Sequence, residues 1–239
     1  MPGSYLICMN KRHTLYAIAY ALVFILVLLA RLMQWSLLSE IATPFITVTL
    51  LLFLSTVTHL KGRFHQRLFT GLVFALTGNT LILMQNHHPS YFLYGLIALL
   101  ICTVFYISAF YLDFRSAQEL DKRGAKIAIF STAILSIAFY LFLRPHLGAL
   151  RLPVIIYVLL MAMMIMMAAF RNQRVNPISF KLVLAGVLFF VLSGAILACS
   201  YFVNPFKYAD ICIISTYMIA QYLIILGGIR RELLRKLSD

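Results

Sequence analysis

Residues 179–202 read SFKLVLAGVLFFVLSGAILACSYF, a run whose lone charge, Lys181, lies near its start. A helix needs about 20 apolar residues to cross the hydrocarbon core of a bilayer. A spanning segment must also satisfy its own backbone polar groups, which a helix does. The run therefore predicts a membrane-spanning helix. Outward from it, seven more runs of this kind bring the total to eight, at roughly 14–33, 41–59, 67–84, 91–112, 126–143, 153–170, 179–202 and 209–229. Short polar punctuation separates them: His59–Lys61–Gly62–Arg63, Asn86–His87–His88–Pro89, Arg144–Pro145, Asn172–Pro177 and Asn204–Pro205. The first gap, Gln34 to Glu40, is only mildly polar.

Composition agrees. Of the 239 residues 63% are hydrophobic and 11% charged, with a mean hydropathy of +0.95. A soluble globule carries roughly a quarter of its residues as charges, so a soluble enzyme or a free nucleic-acid-binding domain is excluded. The expected fold is an all-α polytopic bundle, one transmembrane domain over 1–239. Lys11 and Arg12 precede the first run without an A-x-A-like site after it, so that run reads as a retained span rather than a cleaved leader. Four cysteines, Cys8, Cys102, Cys199 and Cys212, have neither metal-ligand nor disulfide-framework spacing.

The net charge of +13 reads first as topology. With the N-terminus inside, the inner segments hold Lys11, Arg12, Lys61, Arg63, Arg67, Arg115, Lys122, Arg123, Lys126, Arg171, Arg174, Lys181, Arg230, Arg231, Arg235 and Lys236, or 16 of the 20 Lys and Arg. The opposite face keeps Arg31, Arg144, Arg151 and Lys207. That 16-to-4 split is what the positive-inside rule gives for eight spans with both ends inside, in a bacterial-type inner membrane. The basic surplus then also attracts anionic headgroups and implies no nucleic-acid partner. The tail Arg230 to Lys236 is expected to continue the last helix along the headgroups.

Ionisable groups at membrane depth usually mark function, and here they are nearly absent. The seven acidic residues, Glu40, Asp113, Glu119, Asp121, Asp210, Glu232 and Asp239, all fall in or near loops. Asp210 opens the eighth run, where a carboxylate suits the helix dipole. A proton-coupled pump, an intramembrane metalloprotease and an aspartic protease each need groups that these spans lack. His87, His88 and His146 fall on one side of the topology without a ligand spacing, and no metal or cofactor is expected. Neutral polar groups do occur at depth: Thr77, Gly78, Asn79 and Thr80 in the third run; Thr103, Tyr106 and Ser108 in the fourth; Ser193 and Gly194 in the seventh; Tyr217 and Gln221 in the eighth. Tyr217 and Gln221, four apart, share a helix face. At 1.5 Å per residue, Asn79 and Gly194 lie roughly 18 and 22 Å from the inner ends of their helices, in one layer. Helix-to-helix hydrogen bonding and close packing account for such groups equally well.

The order Gly71-Leu-Val-Phe to Gly78-Asn79, Phe105-Tyr106-Ile to Phe110, Tyr157 to Met161 to Ala168, Gly186 to Phe189 to Ser193-Gly194, and Tyr217 to Ala220-Gln221-Tyr222-Leu-Ile resembles the YhhN/lysoplasmalogenase family. The likeness runs from the second span to the eighth. It implies an eight-helix membrane enzyme that hydrolyses the vinyl-ether bond of lysoplasmalogens, releasing a fatty aldehyde. Such a step needs an acid to protonate the vinyl carbon and water to attack the oxocarbenium ion, work for two carboxylates. The family pattern supplies them as a Gly-Asp pair on the third span and a Ser-Asp pair on the seventh. Here those positions read Gly78-Asn79 and Ser193-Gly194, the usual His of the fourth span reads Thr103, and a Lys-Pro opening reads Thr43-Pro44.

The expectation is a diverged, YhhN-like protein with a lipid-accessible cleft lined by Asn79, Thr103, Tyr106, Ser193, Tyr217 and Gln221. In an enzyme version these residues orient a lysophospholipid, and Asp210 is the candidate acid. In a non-enzyme version the cleft binds lipid or a partner helix without turnover. The alternative class is a small-solute transporter or channel, or a structural membrane protein. A seven-helix receptor fits the charge alternation less well.

Overall fold

The computed structural model describes residues 3–86, 88, 90–116 and 122–234. Among these the chain is mostly helical, in eight long α-helices: α1 Gly3–Leu32, α2 Ser36–Thr58, α3 Arg63–Leu83, α4 Ser90–Ser116, α5 Lys122–Leu143, α6 Arg151–Ala169, α7 Pro177–Phe202 and α8 Ala209–Ile229. Seven are long and apolar enough to cross a membrane. The eighth, α3, falls outside that set; it carries Arg63, His65, Gln66 and Arg67 in its opening turns and Thr77, Asn79 and Thr80 near its end. Within the bundle it packs as a core helix, with Phe64, Leu68, Leu72 and Ala75 buried.

Local chemistry sets the boundaries. Pro177 opens α7 at a position where its missing N–H has no intrahelical partner to lose. α2 stops where His59 and Leu60 turn left-handed, with Gly62 at φ +91° just before α3. Pro44 lies inside α2, and because it has no N–H the Glu40 carbonyl goes without its i+4 donor.

Two tight helix pairs, α3 with α4 and α7 with α8, make the centre. At Gly186 the α7 backbone approaches α8 so closely that a Cβ would lie 2.9 Å from the Ala220 carbonyl oxygen. Tyr20 on α1 donates to the Met218 carbonyl at 2.7 Å and stacks on Tyr222, which ties α1 to α8. α5 is the most peripheral span, its face carrying exposed Ile127, Phe130, Ile134 and Leu135. Such an apolar outer surface belongs against lipid tails.

Two expectations need correction. Asp113 is not at a loop rim: its side chain is completely buried near the end of α4. Arg171 Nε donates to its Oδ2 at 2.7 Å and Arg231 Nε to its Oδ1 at 2.6 Å. Arg171 also donates to Ser179 Oγ at 3.0 Å, and Ser179 donates to the Gly227 carbonyl at 2.7 Å. Phe64 and Phe110 flank the Arg171 guanidinium. Burial lowers the Arg171 pKa, and the Asp113 carboxylate opposes that shift. A buried carboxylate is tolerable only when so compensated. The tail, moreover, does not extend α8. After Ile229 it turns back and pairs with the α6–α7 connection: Asn176 N donates to the Glu232 carbonyl, Leu234 N to the Arg174 carbonyl, and Leu233 bridges Val175. This return carries Arg231 to Asp113. Residues 235–239, His87 and the acidic pair Glu119 and Asp121 lie outside the described residues.

Candidate functional site

At the opposite end of the bundle from Asp113, a cavity of about 570 Å³ opens among α2, α3, α4, α6, α7 and α8, with Arg31 of α1 at its edge. It has three zones. Arg31, Glu40, Gln85 and Asp210 come from helix ends and form the rim. Ile46, Ile82, Leu99, Phe190 and Leu197 supply apolar wall. Asn79, Tyr157, Ser193, Gly194 and Tyr217 lie deeper and supply neutral polar atoms. Tyr217 is seven residues beyond Asp210 on α8, which puts the polar floor about 10 Å below the rim.

A relay of hydrogen bonds crosses three helices behind the floor. Asn79 Nδ2 on α3 donates to the Tyr217 hydroxyl on α8 at 2.9 Å, as does Gln221 Nε2 at 2.9 Å. Tyr106 on α4 donates to Gln221 Oε1 at 2.6 Å. Tyr106 packs over Gly71, where a Cβ would lie 2.5 Å from its Cε1, so only glycine lets the ring reach this depth. Because Tyr217 accepts from both amides, its own O–H is not consumed by the relay.

Of the residues singled out in the sequence, Asn79, Ser193, Tyr217 and Asp210 line the cavity. Tyr106 and Gln221 stand behind it, wholly or almost wholly buried, and position Tyr217. Thr103 is buried within α4, its hydroxyl donating to the Leu99 carbonyl at 2.9 Å. The Ser193 hydroxyl donates to the Ile213 carbonyl at 2.8 Å and so bridges α7 to α8. Asp210 is 80% exposed and pairs with Arg31 at 3.7 Å, the setting of a solvated charge rather than of a sequestered proton donor. Among the described residues no group of three or more His, Cys, Asp or Glu is arranged to hold a metal.

Among the cavity residues that sequence reasoning missed are three that bear on its chemistry. Glu40 is a second carboxylate at the rim, and Arg31, which pairs with Asp210, is a cation there. The third is Tyr157 of α6. A Cβ built on Gly194 would overlap the Tyr157 hydroxyl outright and lie 3.0 Å from its Cζ. The phenol therefore occupies the space a side chain at position 194 would need. No spacing rule connects residues 157 and 194; only the packing of α6 on α7 does.

The pattern of the YhhN family matches residues 38–228, four fifths of the chain and every cavity residue except Arg31. The chain belongs to the YhhN family. It is also 33% identical to a lysoplasmalogenase of Homo sapiens over 167 residues, and 32% identical to the Bos taurus protein over the same length. Each match takes in 68% of this chain and 65% of the relative, so the chain spans a little under two thirds of the curated relatives it matches. No solved structure matches. This YhhN protein is thus a multi-pass, lysoplasmalogenase-like membrane protein. From the motifs that carry the resemblance, Asn79, Ser193, Gly194 and Tyr217 converge on one cavity.

Proposed function

We propose that this YhhN protein binds a lysophospholipid in the cavity and does not hydrolyse the vinyl-ether bond of lysoplasmalogens. One domain of eight spans, with both ends inside a bacterial-type inner membrane, would carry that cavity in the outer half of the bilayer. The observation that carries the reading is the neutral floor. The two positions where the family resemblance calls for aspartate hold Asn79, whose amide is committed to Tyr217, and Gly194, whose side-chain space is taken by Tyr157.

Vinyl-ether hydrolysis begins with protonation at carbon, for which an amide offers no acid and a phenol is a far weaker one than a carboxylic acid. The rim carboxylates do not substitute, because they stand about two helical turns above the floor. What the cavity retains is the amphiphile-shaped combination of apolar walls, neutral hydrogen-bonding groups and a charged edge that lipid sites use.

Aldehyde release from a lysoplasmalogen by the purified protein tests the reading. The expected rate equals that of heat-denatured protein. Release above that background, abolished by Tyr217→Phe, would overturn it.

A further inference from the structure

Resting on the lysophospholipid reading above, we propose that the open hydroxyls of Thr47, Tyr157 and Tyr217 form a carbonyl-binding site, so that the lipid this cavity takes is ester-linked rather than vinyl-ether-linked. The three side chains come from α2, α6 and α8 and line one cavity. At 1.5 Å per residue they lie roughly 16, 9 and 12 Å from the rim ends of their helices, at the level of the floor. Tyr217 can only donate, because its oxygen already accepts from Asn79 and Gln221. Thr47 is 2% exposed, yet among the described residues its hydroxyl makes no hydrogen bond. The other threonines of α2, Thr43, Thr49, Thr56 and Thr58, each donate to the carbonyl one turn back, at 2.6 to 2.8 Å. The Tyr157 hydroxyl fills the space beside Gly194 and likewise has no partner among the described residues. Ser193 does not join them, since its hydroxyl is spent on the Ile213 carbonyl.

Unspent donors select the ligand. A desolvated O–H left without an acceptor costs more than an ordinary hydrogen bond returns. The molecule that answers such a floor brings a strong acceptor at this depth. An ester carbonyl has two lone pairs and takes two of these O–H groups at once. An alkyl ether oxygen is a weaker acceptor. In a vinyl ether the oxygen lone pair is drawn into the double bond, which makes it weaker still. The replacement at position 79 acts in the same direction. An aspartate there would take the Tyr217 O–H for itself, whereas the Asn79 amide donates to the phenol oxygen and leaves that O–H to the cavity. The floor thus becomes a set of donors instead of a source of acid.

The test sets three lysophosphatidylethanolamines, alike in headgroup and chain length and differing only in an acyl, alkyl or alkenyl linkage, against a radiolabelled acyl probe on the full chain in detergent. The acyl lipid is expected to bind at least about fivefold tighter than the alkenyl one, the range of one or two neutral hydrogen bonds, with the alkyl lipid between them. Thr47→Val keeps the side-chain shape and leaves the Asn79–Tyr217–Gln221 relay untouched. That variant and Tyr157→Phe should each reduce the acyl preference by about two- to fivefold while alkenyl affinity holds. The infrared stretch of an isotope-labelled ester carbonyl should fall in frequency on binding and recover in part in each variant, a change that altered packing alone does not produce. Equal affinity for the three linkages, an unshifted carbonyl stretch, or an acyl preference undiminished in both variants would overturn the carbonyl site alone. Absence of saturable binding by the probe and its competitors would overturn the lysophospholipid reading and the site with it.

Discussion

The Tyr157 hydroxyl of α6 stands where the side chain of residue 194 on α7 would begin. Two positions 37 residues apart in sequence thereby form one unit, a glycine that makes room and a phenol that fills it. Gly194→Ala alone should lower stability by about 1–3 kcal/mol, the usual range for overpacking. Tyr157→Phe removes the overlapping atom and leaves only the 3.0 Å contact to Cζ, so in that background the same substitution should be much less harmful. Thermal unfolding of the four proteins of this double-mutant cycle checks the coupling.

Tyr217 accepts two amide donors, from Asn79 and Gln221. Tyr217→Phe leaves both donors without their acceptor and should cost about 1–3 kcal/mol. Tyr106→Phe deprives only the Gln221 carbonyl oxygen of its donor and should cost less. Comparing the two denaturation midpoints under one set of conditions decides the order.

Asp113 holds Arg171 and Arg231 together at the end of the bundle away from the cavity. Asp113→Ala leaves a fully buried guanidinium uncompensated and should destabilise by about 3–5 kcal/mol. Arg231→Ala should be milder, because Arg171 still pairs with Asp113. It should also release the returning tail, read as faster hydrogen exchange at the Leu234 amide, which donates to the Arg174 carbonyl.

Much of the fold was legible because the hydrocarbon core imposes length and polarity together. The last run was placed at 209–229, and α8 occupies Ala209–Ile229. The largest shift is in α1, which starts at Gly3 rather than 14; α2 follows, starting at Ser36 rather than 41 because Gln34 to Glu40 is too weakly polar to mark the turn. The Tyr217–Gln221 pair was legible for the same local reason, since helical residues four apart meet. Asp113 was not legible: its two partners lie 58 and 118 residues away, and Arg231 arrives only because the tail folds back. Glu40 escaped because it reaches the cavity only by helix packing, and Tyr157, although it opens one of the runs that carry the family resemblance, meets Gly194 only through the packing of α6 on α7.

The central claim, that the cavity rather than the outer surface receives the lipid, is tested most directly by photolabelling. A lysophosphatidylethanolamine carrying a diazirine beside the glycerol is irradiated with the full chain in nanodiscs, and the labelled peptides are sequenced by mass spectrometry. The account predicts saturable labelling around Asn79, Ser193 and Tyr217, displaced by unlabelled lipid. Labelling confined to the exposed faces of α1 and α5, such as Leu22 and Phe130, and undiminished by competitor would contradict it.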